Sequence, residues 1–353
     1  MGVPLAGVLR GMVSYWRMAG RWHRAFGGGL DSMSSNSGFR ILSLDGGGIK
    51  GVFTASFLNS IEEMSGGSIA DYFDLITGTS TGGIIAVALG MGLPCGEILK
   101  FYRDRGPVIF PSTGAHRRLR QTMRRFVVGK HDHEVLATEL RSVFGDQKLG
   151  ESRCRLVIPA FNASSGMIHL FKTAHDERFR QDYKRTCVDV LMAAVAAPTY
   201  FRPHRTEDGS VFIDGGVWAG NPALVGVLEA LRQFRVLPGD IDLLSIGTTE
   251  EPFHLSRGRR LTSGMIQWAR GILPLFMQAQ TDAAMKQAAL LLDRAPLRVS
   301  PVVAPKRFSI DDTRRIQELC ALGVAEARIN QSAVRERFLL QRAPRFLPAL
   351  VSA

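Results

Sequence analysis

Ser80 lies in Gly78-Thr79-Ser80-Thr81-Gly82, the pattern G-x-S-x-G. In a strand-to-helix turn that pattern lifts a serine hydroxyl clear of a sheet edge as a nucleophile for acyl transfer, and the flanking glycines let neighbouring backbone come close. On these five residues alone, a glycine-rich turn with an incidental serine explains the pattern equally well. A second turn, Asp45-Gly46-Gly47-Gly48-Ile49-Lys50-Gly51, admits several uses. Gly46, Gly48 and Gly51 satisfy G-x-G-x-x-G, with Asp71 about 20 residues on, as in a dinucleotide-binding unit. Against that use, the next strand ends in the serine turn and not in a ribose-binding acid. A phosphate-binding P-loop is excluded because Val52 follows Gly51. The remaining use is an oxyanion hole: the amides of Gly46, Gly47 and Gly48 offered to a carbonyl oxygen that gains charge, each such donor worth about 3 kcal/mol of barrier.

A serine nucleophile needs a base within hydrogen-bond reach. After Ser80 the histidines are His116, His131, His133, His169, His175, His204 and His254, most of them in polar or charged stretches where a solvated ring is the plainer explanation. His131 and His133 have a metal-ligand spacing, but no third ligand stands in a suitable pattern. Asp214 is better placed, because Val211-Phe212-Ile213 reads as a short strand and Gly215-Gly216 let the chain bend beside a substrate. An acid there can take the serine proton itself, although an aspartate capping a turn accounts for the same residues.

The elements that position these groups alternate. FRILSLD from Phe39 reads as a strand, followed by the glycine turn and a helix over about Val52–Met64. YFDLITG then feeds the helix GGIIAVALG, and apolar runs at Arg155–Ala160 and Asp242–Ile246 are separated by helical stretches. That order predicts an α/β fold with a central, mostly parallel sheet flanked by helices. After about Arg257 the chain reads as helical, notably over Met265–Leu292 and Asp311–Leu340.

Taken in order, the three motifs resemble the patatin-like phospholipases over roughly Phe39–Glu229. The resemblance implies a three-layer patatin-like fold and a Ser-Asp dyad that needs no cofactor or metal. Ser80 would attack a membrane glycerophospholipid ester, Asp214 would serve as base, and Gly46, Gly47 and Gly48 would form the oxyanion hole. Gly51, Gly78, Gly82 and Gly215 would support the motifs. Lys50 stands where the family often has Arg; the charge is kept and bidentate bonding is lost. FRILSLDGGGIKGVFTASFL and Phe171–His204 are further similar to the CapV type of CBASS antiphage effectors. That likeness implies activation by a cyclic dinucleotide, such as cyclic GMP-AMP, made by a partner nucleotidyltransferase, and degradation of the host membrane. No residue of this chain is matched to the nucleotide. The domains expected are an N-terminal extension over 1–38, a catalytic core over 39–229, and a part over 230–353 that completes the sheet and adds helices.

A net charge of +12 over 353 residues suits an anionic partner, whether membrane surface, phosphorylated ligand or nucleic acid. No aromatic-and-basic reader of nucleic acid is visible, so none is expected as partner, and self-association into a homo-oligomer stays open. The four scattered cysteines signal neither a disulfide framework nor zinc. The most prominent apolar stretch, Ile84–Leu93, is about half of what a spanning helix needs, so no transmembrane segment is expected; with a reducing cytoplasm as the default for these cysteines, the resemblance implies a cytoplasmic protein acting peripherally at the inner face of the membrane. Residues 1–38 carry Trp16, Trp22, several arginines and a glycine run; they read as an appendage, or as sequence upstream of a start at Met33. The run from Arg117 through Arg118, Arg120, Arg124 and Arg125 to Lys130 would put basic groups on one helix face, for headgroups, phosphates or plain solvent. Gly271–Met277 and Phe346–Val351 are apolar, and packing on the core is expected ahead of dipping into a bilayer. Two other functions compete with a dyad phospholipase activated by a nucleotide. One is a constitutive lipase or esterase; the other is an α/β-hydrolase with the chain order Ser80, Asp214, His254.

Overall fold

The strand Phe39–Leu44 (β1) runs FRILSL with its last five residues buried. Its side chains alternate: Ile41 packs with one apolar cluster, Leu42 and Leu44 with another. A strand apolar on both faces belongs at the centre of a parallel sheet. β1 pairs in parallel with Leu75–Gly78 (β2) and with Ile241–Ile246 (β7). In the computed structural model residues 38–111, 131–252 and 272–351 are described, without the side chains of 272–274. They fall within the unit Gly38–Ala353.

Five more strands complete the sheet: Arg155–Asn162 (β3), Met167–Lys172 (β4), His204–Arg205 (β5), Val211–Asp214 (β6) and Leu297–Val299 (β8). The order is β5-β6-β3-β2-β1-β7-β8, with β4 paired to β3. The pairing brings two candidate residues together. β4 occupies one edge of β3 from Val157 to Asn162. A strand has only two edges, so β2, paired to Arg155–Val157, and β6, paired to Ala160–Asn162, share the other. β2 is parallel to β3 and β6 antiparallel. Their C-terminal ends therefore point at each other, and Ser80 follows one while Asp214 ends the other.

On the Leu42 face the sheet is covered by Gly51–Ser65 (α1), Thr81–Gly90 (α2), Cys95–Ile109 (α3), His133–Phe144 (α4), Cys187–Ala194 (α5) and Ile316–Phe338 (α9). On the Ile41 face lie Ala223–Gln233 (α7) and Ile272–Leu291 (α8), while the short helix Gly216–Ala219 (α6) joins β6 to α7. This is the three-layer α/β arrangement expected, and residues after 230 supply β7, β8, α8 and α9. α9 lies directly on α1: a Cβ at Gly323 would stand 2.6 Å from the Phe53 carbonyl oxygen, and Ser56 Oγ donates to the Cys320 carbonyl at 2.8 Å.

Boundaries differ in places from the sequence reading. The YFDLITG strand begins only at Leu75, since Ile69–Tyr72 form a 3-10 turn. Within the described residues the C-terminal helices are Ile272–Leu291 and Ile316–Phe338, and 265–271 lie outside them. Phe346 is buried beneath Arg155, whereas Phe276, Met277, Leu347 and Val351 are exposed, so packing on the core holds for only part of those segments. Among the described residues no helix is long and apolar enough to cross a membrane. Residues 1–37, the basic run 117–130 and His254 lie outside the described residues.

Candidate active site

Ser80 joins β2 to α2 with φ 54° and ψ −121°, a backbone conformation that side-chain-bearing residues rarely adopt. Such strain persists only where the surroundings impose it, and here the glycines impose it. A Cβ at Gly78 would stand 2.2 Å from the Gly82 carbonyl oxygen, and one at Gly82 would stand 2.3 Å from that of Leu44. The turn is drawn tight against β1, and the N-terminus of α2, with its partial positive charge, begins at the serine. Thr79 Oγ1 fixes the other side by donating to the Ala219 carbonyl at 2.6 Å.

Asp214 ends β6 and is almost fully buried. Its carboxylate accepts the Gly216 amide at 2.7 Å and faces the Ser80 hydroxyl. Burial pushes its pKa up to about 6, and the Ser80 hydroxyl and the Gly216 amide hold it from rising further. Gly215 is required for contact with β3, since a Cβ there would lie 2.3 Å from the Pro159 carbonyl oxygen.

The glycine turn presses on the serine from the side of β1. A Cβ at Gly46 would sit 3.3 Å from Ser80 Cβ, and one at Gly51 would sit 2.3 Å from Thr81 Oγ1. Gly48 has φ +58°, and a Cβ there would meet the Ile310 carbonyl oxygen at 2.1 Å. The three amides grouped in the sequence reading are not equivalent. That of Gly46 donates to the Gly220 carbonyl at 3.0 Å, whereas those of Gly47 and Gly48 have no partner among the described residues. Lys50 points inward and reaches the Thr249 carbonyl at 3.4 Å. Burial pushes its ammonium pKa down, and Glu251, Asp45 and Glu250 act against that.

The described histidines are engaged elsewhere. His131 pairs with Asp311 at 3.1 Å, His169 with Asp182 at 3.3 Å and His175 with Glu229 at 2.9 Å. His133 meets His204, whose other nitrogen reaches Asp189 at 2.9 Å. No group of three or more metal-ligand side chains occurs among the described residues. A charged cluster behind the glycine turn was not found from sequence: Arg298 of β8 reaches Asp45 at 2.6 Å and Glu250 at 3.2 Å. The one signal for it is an arginine in an otherwise apolar short strand, LRV.

The profile of the patatin-like phospholipases matches residues 42–227. Over 234 residues the chain is 37% identical to a cGAMP-activated phospholipase of Vibrio cholerae, covering 62% of this chain and 66% of that one. Over 255 residues it is 34% identical to one of Pseudomonas aeruginosa, covering 71% and 75%. A third, from Escherichia coli, is 37% identical over 230 residues, covering 62% and 64%. The chain thus spans slightly less than two thirds of the Vibrio and Escherichia relatives.

Proposed function

Since the chain belongs to the patatin-like phospholipase family, we propose that it is a serine acyl hydrolase that cleaves fatty acyl esters of membrane glycerophospholipids through a dyad of Ser80 and Asp214. One observation carries this reading: a serine at a strained strand-to-helix turn sets its hydroxyl against a buried carboxylate, whose pKa it lowers. Ser80 Oγ attacks the ester carbonyl while Asp214 takes its proton, so no histidine is required. The carbonyl oxygen becomes an oxyanion and accepts hydrogen bonds from the Gly47 and Gly48 amides. Gly46, whose amide already has an acceptor, serves by its lack of a side chain. Collapse expels the lysolipid alkoxide, which recovers the proton from Asp214. Water, deprotonated by the same carboxylate, then attacks the acyl-enzyme, releasing the fatty acid and free Ser80. Gly51, Gly78, Gly82 and Gly215 permit the close backbone contacts, and Lys50 contributes positive charge behind the turn.

The activity after which the three bacterial relatives are named supports a further element, activation by a cyclic dinucleotide. On this reading the protein is a CBASS effector, silent until a partner nucleotidyltransferase supplies the nucleotide, and it then degrades the inner face of the host's own membrane. Hydrolysis of phospholipid vesicles with and without cyclic GMP-AMP tests both parts. Fatty acid release only with the nucleotide, and none from Ser80→Ala, is expected. Equal release without nucleotide removes the activation and leaves the hydrolase. Full activity of Ser80→Ala removes the dyad.

A further inference from the structure

The glycine turn has little side-chain matter of its own to hold it, and glycine is the most permissive residue for backbone rotation. Its order is therefore imposed by neighbours. Ahead of the two unpartnered amides, the Asp45 amide donates to the Ile246 carbonyl at 3.0 Å and that of Gly46 to Gly220. Behind them, the Ile49 amide donates to the Ile310 carbonyl at 2.8 Å. The side-chain anchor is Asp45, buried at the head of the turn, whose Oδ2 takes a hydrogen bond from Arg298 Nη2 at 2.6 Å. Arg298 is itself fixed on two more sides. Its Nη1 donates to Ser245 Oγ at 2.8 Å and its Nη2 to Glu250 Oε1 at 3.2 Å. The guanidinium also lies over Gly247, where a Cβ would stand 2.8 Å from Nη2. A planar fork with several donors in fixed directions matches this set of acceptors, and a lysine ammonium does not. Arg298 lies outside the stretch 42–227 that matches the family profile.

We infer that Arg298 is a positioning residue for acyl transfer: by clamping Asp45 it aims the Gly47 and Gly48 amides at the oxyanion, with Ser245 and Glu250 holding the guanidinium in register. This rests on the reading of those amides given above. Arg298 does not touch the reacting atoms, so its effect falls on the transition state and not on ester binding.

The test is kinetics on a soluble short-chain ester, with cyclic GMP-AMP present, for Arg298→Met, Arg298→Lys, Glu250→Gln and Ser80→Ala. A second readout is affinity for a trifluoromethyl ketone, which forms an oxyanion on adding to the serine. Displacing donors by a fraction of an ångström is expected to lower kcat of Arg298→Met by about 10²-fold with KM within about threefold. Arg298→Lys should lose about tenfold and Glu250→Gln less. Ketone affinity should fall in step with kcat/KM, while inhibition by product fatty acid stays unchanged. A merely structural role would lower the melting temperature without that split. Should Arg298→Met not fold, Arg298→Lys decides. Wild-type kcat and ketone affinity in folded Arg298→Lys, or a raised KM at constant kcat, overturns the assignment. Activity in Ser80→Ala overturns the dyad itself, whatever Arg298 does.

Discussion

Asp214 carries two opposed demands. As the proposed base it must be ionised, yet its burial disfavours the charge and raises its pKa from 3.8 to about 6. On the catalytic side, kcat/KM should fall as pH drops through about 6, because the protonated carboxyl cannot take the serine proton; a pH–rate profile on the soluble ester checks this. On the stability side, the folded-state pKa is raised above the unfolded one. Folding therefore binds a proton between those values, and stability is lost as pH rises from 3.8 toward 6. The loss is complete above 6 and amounts to ~3 kcal/mol. Asp214→Asn keeps an acceptor for the Gly216 amide and carries no charge. It is expected to reduce kcat by about 10²–10⁴-fold while raising the melting temperature at pH 8, an advantage that disappears at pH 3.5. An Asn variant that is inactive but no more stable at pH 8 would show that the carboxylate is not strongly desolvated.

Helices α1 and α9 cross with glycine at the contact, and that crossing supports the glycine turn, since α1 begins at Gly51. Ala is a better helix former than Gly by about 1 kcal/mol. At Gly323, however, a Cβ would lie 2.6 Å from the Phe53 carbonyl oxygen and 2.8 Å from Ser56 Cβ. Backbone cannot yield as a flexible side chain can, so Gly323→Ala should destabilise by ~1–2 kcal/mol. At Gly96 in α3 the nearest atom to a new Cβ is Asn59 Oδ1 at 3.2 Å, the end of a half-buried side chain that can rotate away. Gly96→Ala should therefore be neutral or stabilising by up to about 1 kcal/mol. Urea unfolding of the two variants checks the opposite signs. The elements most legible in sequence are those whose burial leaves a pattern: β1, β2, β3 and β7 are apolar runs, and α2 follows its strand without a break. β5, with two residues, and β8, with three, are too short for a period to show. The residues of the proposed dyad stand out in the sequence because motifs flank them. That β6 runs antiparallel, end to end with β2 along β3, is what makes them neighbours, and strand direction leaves no mark on composition. Arg298 left only the faint signal of a charge in a short apolar strand, because its partner Asp45 is 253 residues away.

Across the whole chain, the stretch matched by the family profile and the stretch that makes a stable molecule do not coincide. The profile ends at residue 227, yet β7 is paired along the full length of β1 and separates it from β8. Without residues after 229, β1 becomes a bare edge and the Leu42 face loses the cover of α9. Ile241, Leu243, Leu244, Ile246, Leu319, Val334 and Phe338 are all essentially without solvent contact. At ~1.5–3 kcal/mol for each buried side chain, their loss is on the order of 10 kcal/mol or more. That matches the 5–15 kcal/mol by which whole domains are typically stable. Specific ties go as well: the Thr54 hydroxyl donates to the Gly247 carbonyl at 2.9 Å, and Arg40 donates to the Phe338 carbonyl at 3.1 Å. A fragment spanning 38–229 is therefore expected to show no cooperative thermal transition and no labelling of Ser80 by a fluorophosphonate, although it holds both dyad residues and the glycine turn. The full chain should do both. A cooperative melt with labelling in the fragment would mean that the dyad is assembled by the sheet from β1 to β6 alone, and that the C-terminal third acts only on the aim of the amides.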